Sequence, residues 1–145
     1  MNNPLYVAIV INVLVWAYVI LCLYRSKGVK YECQVGAKIV IVLLFFGAGL
    51  LIYVNDIQGY GIYNFMSLGI AGLLYYLVKS GIGEEGFYVL GRLFRYKDIS
   101  NLKLENLGNK IGLKFDYRHR SRYLFVKEDK VKELKKNLDQ YYYHR

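Results

Sequence analysis

Tyr60–Val78, YGIYNFMSLGIAGLLYYLV, is an uncharged run that ends at Lys79. A helix needs roughly 20 apolar residues, with a range of about 17–25, to cross the hydrocarbon core of a bilayer. A run of this length fixes the side of a membrane on which the following chain must fold. It also divides the charge. Residues 1–78 carry Arg25, Lys27, Lys30 and Lys38 against Glu32 and Asp56, whereas residues 79–145 carry sixteen Lys/Arg against nine Asp/Glu. The expected organisation is a transmembrane block over 1–79 and a small basic domain over 80–145. A domain of that size is near the lower limit for an independent core, so it is expected to need the membrane or a partner for stability.

Leu5–Tyr24, LYVAIVINVLVWAYVILCLY, and Ile39–Val54, IVIVLLFFGAGLLIYV, are two further uncharged runs. With spans at about 5–24, 38–54 and 60–78, the block reads as three transmembrane helices. The first run does not read as a secretory signal, because no basic residue precedes it, no small-residue cleavage site follows, and it exceeds the length of an h-region. Arg25, Lys27 and Lys30 come after it and hold the first loop inside. That places the MNNP tail outside, the loop Asn55–Gly59 outside, and the basic C-terminal domain in the cytosol of a plasma (inner) membrane. Tyr6, Tyr24, Tyr53, Tyr60, Tyr75 and Tyr76 sit near span ends, where interfacial aromatic residues belong. Asn12 is expected to hydrogen-bond another helix rather than face lipid. Gly47 and Gly49 thin the second span, and Ser67 and Ala71 form a small-xxx-small pair in the third. Both patterns suit close helix packing, within the chain or in a homo-oligomer.

After Lys79 the pattern changes to short alternating segments separated by turn residues, which is the signature of antiparallel strands. Lys79–Gly83 reads as a short flexible exit from the membrane. Strands are expected at 86–90, 93–96, 101–105, 111–117 and 122–126, with turns at Gly91-Arg92 and Arg118–Ser121. In the fourth, Ile111, Leu113, Phe115 and Tyr117 share one face. The period then lengthens: Val131, Leu134, Leu138 and Tyr141 mark one face of a C-terminal helix, with Asp129 as its expected N-cap and Glu128 paired with Lys132. That face is expected to close the core of the sheet, the alternative being a helix lying on the membrane. The fold class is thus a small α+β domain of about five antiparallel strands plus a helix, attached to three spans.

Glu85-Gly86-Phe87, Arg95-Tyr96-Lys97-Asp98-Ile99 and Leu124-Phe125-Val126, over residues 82–142, resemble the motifs of PH-like domains found at the C-termini of small bacterial membrane proteins. The resemblance implies a binding or scaffolding domain without known chemistry. A full PH fold has seven strands and about five are legible here, so either the sheet is abbreviated or another chain completes an edge.

The most basic cluster is Arg118-His119-Arg120-Ser121-Arg122 at an expected hairpin tip, with Lys110 and Lys114 nearby in sequence. Arginine presents paired donors to anionic oxygens, which suits an anionic lipid headgroup, whereas a solvated basic turn on the inner side meets the same description. No nucleic-acid role is expected, because the aromatic residues are placed as core. Glu84 and Glu85 are sequence neighbours and would point to opposite faces of a strand. His119 and His144 have no Cys or Glu at ligand spacing, Cys22 and Cys33 are not clustered, and no serine lies in a nucleophile motif. No catalytic residue, metal site or cofactor is expected. The sequence reads first as a membrane-tethered interaction or scaffold module rather than an enzyme, with a protein partner or a second copy as its target. An anionic-lipid sensor and an accessory subunit of a transport complex are the alternatives. The tail Tyr141–Arg145 reads as the frayed end of the helix, or else as an aromatic surface for a partner.

Overall fold

The structure is a computed structural model and describes residues 4–56 and 59–143. The MNNP tail up to Asn3, Ile57 and Gln58 of the expected outer loop, and His144 and Arg145 of the tail lie outside the described residues. The chain divides into two units, one formed by residues 1–24 and 36–78, the other by residues 25–35 and 79–145.

The first unit is helical because its runs are long, apolar and free of internal proline. Helix α1 is Pro4–Ser26, α2 is Lys38–Val54 and α3 is Gly61–Tyr76. At 1.5 Å per residue they measure roughly 34, 26 and 24 Å. Among the described residues, only α1 is long and apolar enough to cross a membrane on its own, and a signal sequence satisfies the same measures. The third run, expected over 60–78, gives a shorter helix for local reasons. At its start the Asp56 carboxylate accepts the Gly61 amide, a negative charge at the positive end of the helix dipole. At its end the Leu77 and Val78 amides close tighter turns onto Leu74 and Tyr75.

Small residues decide how these helices meet. A Cβ on Gly49 would lie 3.2 Å from the Phe65 Cα, and one on Gly72 would lie 3.1 Å from the Phe45 Cβ. These gaps let α2 and α3 approach closely. Val19, Cys22, Ala71, Tyr75 and Val78 form the buried centre, with the Tyr75 ring 5.7 Å from Phe45 and 6.3 Å from Tyr18. Outward, Val13, Leu14, Leu43, Leu44, Leu51 and Leu73 are exposed.

Among the described residues the second unit has seven strands rather than about five. They are β1 Val29–Cys33, β2 Ser80–Gly83, β3 Gly86–Val89, β4 Arg92–Arg95, β5 Ile99–Asn106, β6 Lys110–Tyr117 and β7 Arg120–Lys127. They form two antiparallel sheets, ordered β1-β2-β3-β4 and β5-β6-β7, and a bridge between Gln34 and Phe125 joins β1 to β7. The two missed strands come from this same chain. The basic loop after α1 supplies β1, and the expected flexible exit supplies β2. SGIG is half glycine and shows no alternation, and VKYEC alternates Val29, Tyr31 and Cys33 with Lys30 and Glu32 over five residues only. Gly81 shows why the pairing demands glycine: a Cβ there would lie 1.9 Å from the Tyr31 carbonyl oxygen.

Helix α4, Val131–Leu138, closes the core with Leu134 and Leu138, both fully buried. They pack with Ile82, Phe87, Phe94, Leu113, Phe115 and Leu124. The helix starts later than expected. A short turn over Glu128–Lys130 precedes it, Lys130 occupies the N-cap, and Asp129 makes no cap hydrogen bond. No Glu128–Lys132 ion pair forms among the described residues, since Glu128 lies outside the helix. The chain continues through a wider turn at Asp139–Tyr143, where the Tyr142 ring packs 5.5 Å from Tyr96.

Candidate functional site

Strand register decides where the basic residues point. Across β6 and β7, Leu113 faces Leu124, Phe115 faces Arg122 and Tyr117 faces Arg120. Directly opposed residues share a face of the sheet, and Leu113, Phe115 and Leu124 are fully buried. Arg120 and Arg122 therefore occupy the core face, beyond the last apolar layer. The same alternation places Arg92 on the face of Phe94 in β4, where Val89 opposes Arg92 and Phe87 opposes Phe94.

Both hairpins turn tightly. Leu90 and Gly91 have positive φ of 52° and 79°, and Arg118 and His119 have 48° and 64°. Two residues of positive φ make the turn whose twist matches paired strands. The turns thus lie one residue earlier than the expected Gly91-Arg92, and within the first half of Arg118–Ser121. Leu90 tolerates its conformation with local help, its amide donating to Ser80 Oγ at 3.0 Å.

Around the Phe94 ring the arginines gather. The Arg92 and Arg122 guanidinium carbons lie 5.8 and 5.9 Å from its centre. Tyr117 packs edge-on at 5.0 Å, and Arg118 sits 5.4 Å from the Tyr117 ring. No ion pair among the described residues involves an arginine; lysines form them instead, as in Lys30–Glu84, Lys79–Glu32 and Lys114–Glu105. The Arg122 Nε is buried with no acceptor.

The nearest acid in sequence, Asp116, faces the other side of the sheet. It accepts hydrogen bonds from Ser121 at 2.6 Å and Asn101 at 3.0 Å. Those bonds, the Ser121 one foremost, hold its carboxyl below the usual range.

Of the five expected basic residues, Arg118, Arg120 and Arg122 share one end of the sheet. Lys110 opposes Lys127 at the other end of β6, roughly 23 Å away at about 3.3 Å per residue. Lys114 lies on the outer face, 3.7 Å from Glu105. Tyr123, by hydrogen bonding first, and then Glu105 raise its pKa and keep it charged. Lys110 and Lys114 thus do not belong with the arginines: sequence proximity along a strand is not proximity in space. Arg92, Phe94 and Tyr117 were missed. The spacing Arg92-x-Phe94 was visible, but the meeting of two hairpins was not.

In the helical unit, Asn12 donates to Asn64 Oδ1 at 2.7 Å and to the Ala8 carbonyl at 2.9 Å. Trp16 Nε1 donates to Ser67 Oγ at 2.9 Å. Gly49 and Ala71 lie in packed contacts. Gly47 does not: a Cβ there meets nothing within 4 Å. It lies on the outward face because it is two residues from Gly49, about 200° around the helix.

The motifs Glu85-Gly86 and Arg95-Tyr96 become neighbours across β3 and β4. The Tyr96 amide donates to the Glu85 carbonyl, and its hydroxyl donates to the Gly83 carbonyl at 2.5 Å. A Cβ on Gly86 would lie 2.0 Å from the Phe94 carbonyl oxygen. Burial, then the Glu32 charge, pushes the Cys33 thiol up to about 12. No group of three or more His, Cys, Asp or Glu gathers among the described residues.

Residues 78–142 match a family described as a domain of unknown function (DUF5673). No curated protein and no solved structure matches the chain.

Proposed function

We propose that the chain is a membrane-tethered interaction module, with three membrane-crossing helices and a PH-like binding domain on the cytosolic side. One observation carries the reading. The loop between α1 and α2 is strand β1, and it pairs with β2, which follows α3. Strands of one sheet fold on one side of a membrane, so the end of α1, the start of α2 and the end of α3 emerge together. That supports three crossings, and the surplus of lysine and arginine favours the inner side for the strands. The outward leucines and valines of the helices are solvated by lipid. The shortness of α2 and α3 is absorbed by local thinning of the bilayer. The Asn12–Asn64 and Trp16–Ser67 hydrogen bonds favour a retained α1 over a cleaved signal.

The four-plus-three strand arrangement and the closing helix support the PH-like reading. The arginine-bearing end is favoured over the β5 edge as the recognition surface. That edge is blunted by a bulge between Ser100 and Lys103, with Asn101 at a φ of 52°.

Two measurements test this. A membrane-impermeant maleimide should label Asn55→Cys in intact cells and Lys135→Cys only after permeabilisation; the reverse pattern refutes the topology. Photo-crosslinking residues at positions 92 and 118 should yield specific adducts, with none from position 114. Equal yields at all three would refute the arginine end as the recognition surface.

A further inference from the structure

Strand β7 is paired along only part of its second edge. The tight turn at Arg118-His119 makes Tyr117 and Arg120 a hydrogen-bonded pair, and the antiparallel pattern then repeats every second residue. Arg120, Arg122, Leu124 and Val126 therefore bond to β6, while the N–H and C=O groups of Ser121, Tyr123 and Phe125 point the other way. Phe125 bears this out: its amide donates to the Gln34 carbonyl at 2.9 Å, and its carbonyl accepts from the Gln34 amide at 2.8 Å. There the line of β1 stops. The chain turns at Gly36-Ala37 and becomes α2, and the Ser121 and Tyr123 backbone groups have no partner on this edge among the described residues. The register of β7 runs without a shift, so this edge lacks the bulge that blunts β5.

We infer that this open edge of β7 takes an extended acidic segment of a partner protein, added antiparallel as a further strand over Ser121 and Tyr123. The inference rests on the reading of the arginine-bearing end as the recognition surface, and names what that surface recognises. The N–H and C=O groups of the two residues supply backbone bonding to any extended chain. The side chains select the sequence. Residues of an added strand alternate in face, so every second one lies alongside Arg120 and Arg122, and the intervening ones alongside Ser121 and Tyr123. Arg118 and Arg120 are exposed, no arginine is ion-paired among the described residues, and Asp116 is already engaged by Ser121 and Asn101. An acidic residue beside the arginines gains charge-assisted hydrogen bonds, whereas a basic one is repelled. Beside the half-buried Tyr123, whose ring centre lies 6.1 Å from that of Phe125, a β-branched or aromatic residue packs. The recognised pattern is thus acidic and apolar residues in alternation.

The experiment uses the full chain in phosphatidylcholine nanodiscs and reads amide hydrogen exchange residue by residue along β7. Without a ligand, Ser121 and Tyr123 should exchange fast while Arg120, Arg122 and Leu124 are protected. Protection of Ser121 and Tyr123 at this stage would mean that the edge is already covered, and the inference would fall. The probe is a short synthetic peptide alternating valine with glutamate. At ten times its Kd it should slow exchange of Ser121 and Tyr123 about tenfold. The same peptide N-methylated at every amide keeps its charges but lacks donors and should not bind; a valine–lysine peptide should not bind either. Arg120→Glu should weaken binding about 3- to 10-fold, and Lys110→Glu, at the far end of β6, should leave it unchanged. Equal binding of the N-methylated or the lysine peptide, protection by phosphatidic acid in the disc rather than by the peptide, or no protection at Ser121 and Tyr123 would overturn strand addition. Crosslinks from positions 92 and 118 that persist in that case leave the recognition surface standing, whereas their loss as well removes both readings.

Discussion

Replacing Arg122 with methionine should make the β domain more stable. The buried Nε has no acceptor, and an unpaired buried donor costs about 1–3 kcal/mol. The guanidinium regains about 0.5–1 kcal/mol from its position 5.9 Å from the centre of the Phe94 ring. Methionine keeps an unbranched apolar stem and a polarisable sulfur against the same ring, and it removes one of the charges crowding Phe94. The balance favours the variant by about 1 kcal/mol, a factor of about five in an equilibrium constant. The assay is amide exchange of β6 and β7 in the full chain without added anion, where protection reads local stability. Exchange should slow about fivefold. Faster exchange would mean that Arg122 supports the fold, and would refute the argument that its donor goes unpaid for structural purposes.

Three further outcomes follow from the packing. Gly81→Ala should detach β1 from β2, because its Cβ would lie 1.9 Å from the Tyr31 carbonyl; about 1–3 kcal/mol of overpacking should appear as faster exchange at Val29–Cys33, and unchanged exchange there would refute the pairing. Leu134→Ala should destabilise the domain by about 2–5 kcal/mol, since Leu134 is fully buried in its core, with chemical denaturation of the full chain in micelles as the check. Cys33, raised from 9.0 to about 12, should resist alkylation in the folded protein. Folding favours its neutral form, so this contribution is complete below pH 9, declines above it and is lost as pH rises through the folded value; a thiol titrating near 9 in the folded chain would contradict it.

The charge-free runs set α1, α2 and α3 by composition, since consecutive apolar residues leave helix as the economical way to satisfy the backbone. Alternation likewise marked β6, where Leu113 and Phe115 repeat every second residue, and the spacing of Leu134 and Leu138 marked α4. These signals are local, and sequence carries them whole. Strand β1 alternates as well, Val29, Tyr31 and Cys33 against Lys30 and Glu32, but over only five residues, and nothing in that pattern names its partner. Val29–Cys33 is a strand because Gly81 admits its backbone and β2 offers unpaired hydrogen-bonding groups, a reason that lies about fifty residues away. The candidate site divides in the same way. The arginine run at 118–122 is visible in any reading of the chain, but register alone turns Arg120 and Arg122 to the core face and Asp116 away from it. Only the meeting of two hairpins places Arg92 beside them on Phe94, because contacts between distant segments follow from how sheets close around a core rather than from what neighbours what along the chain.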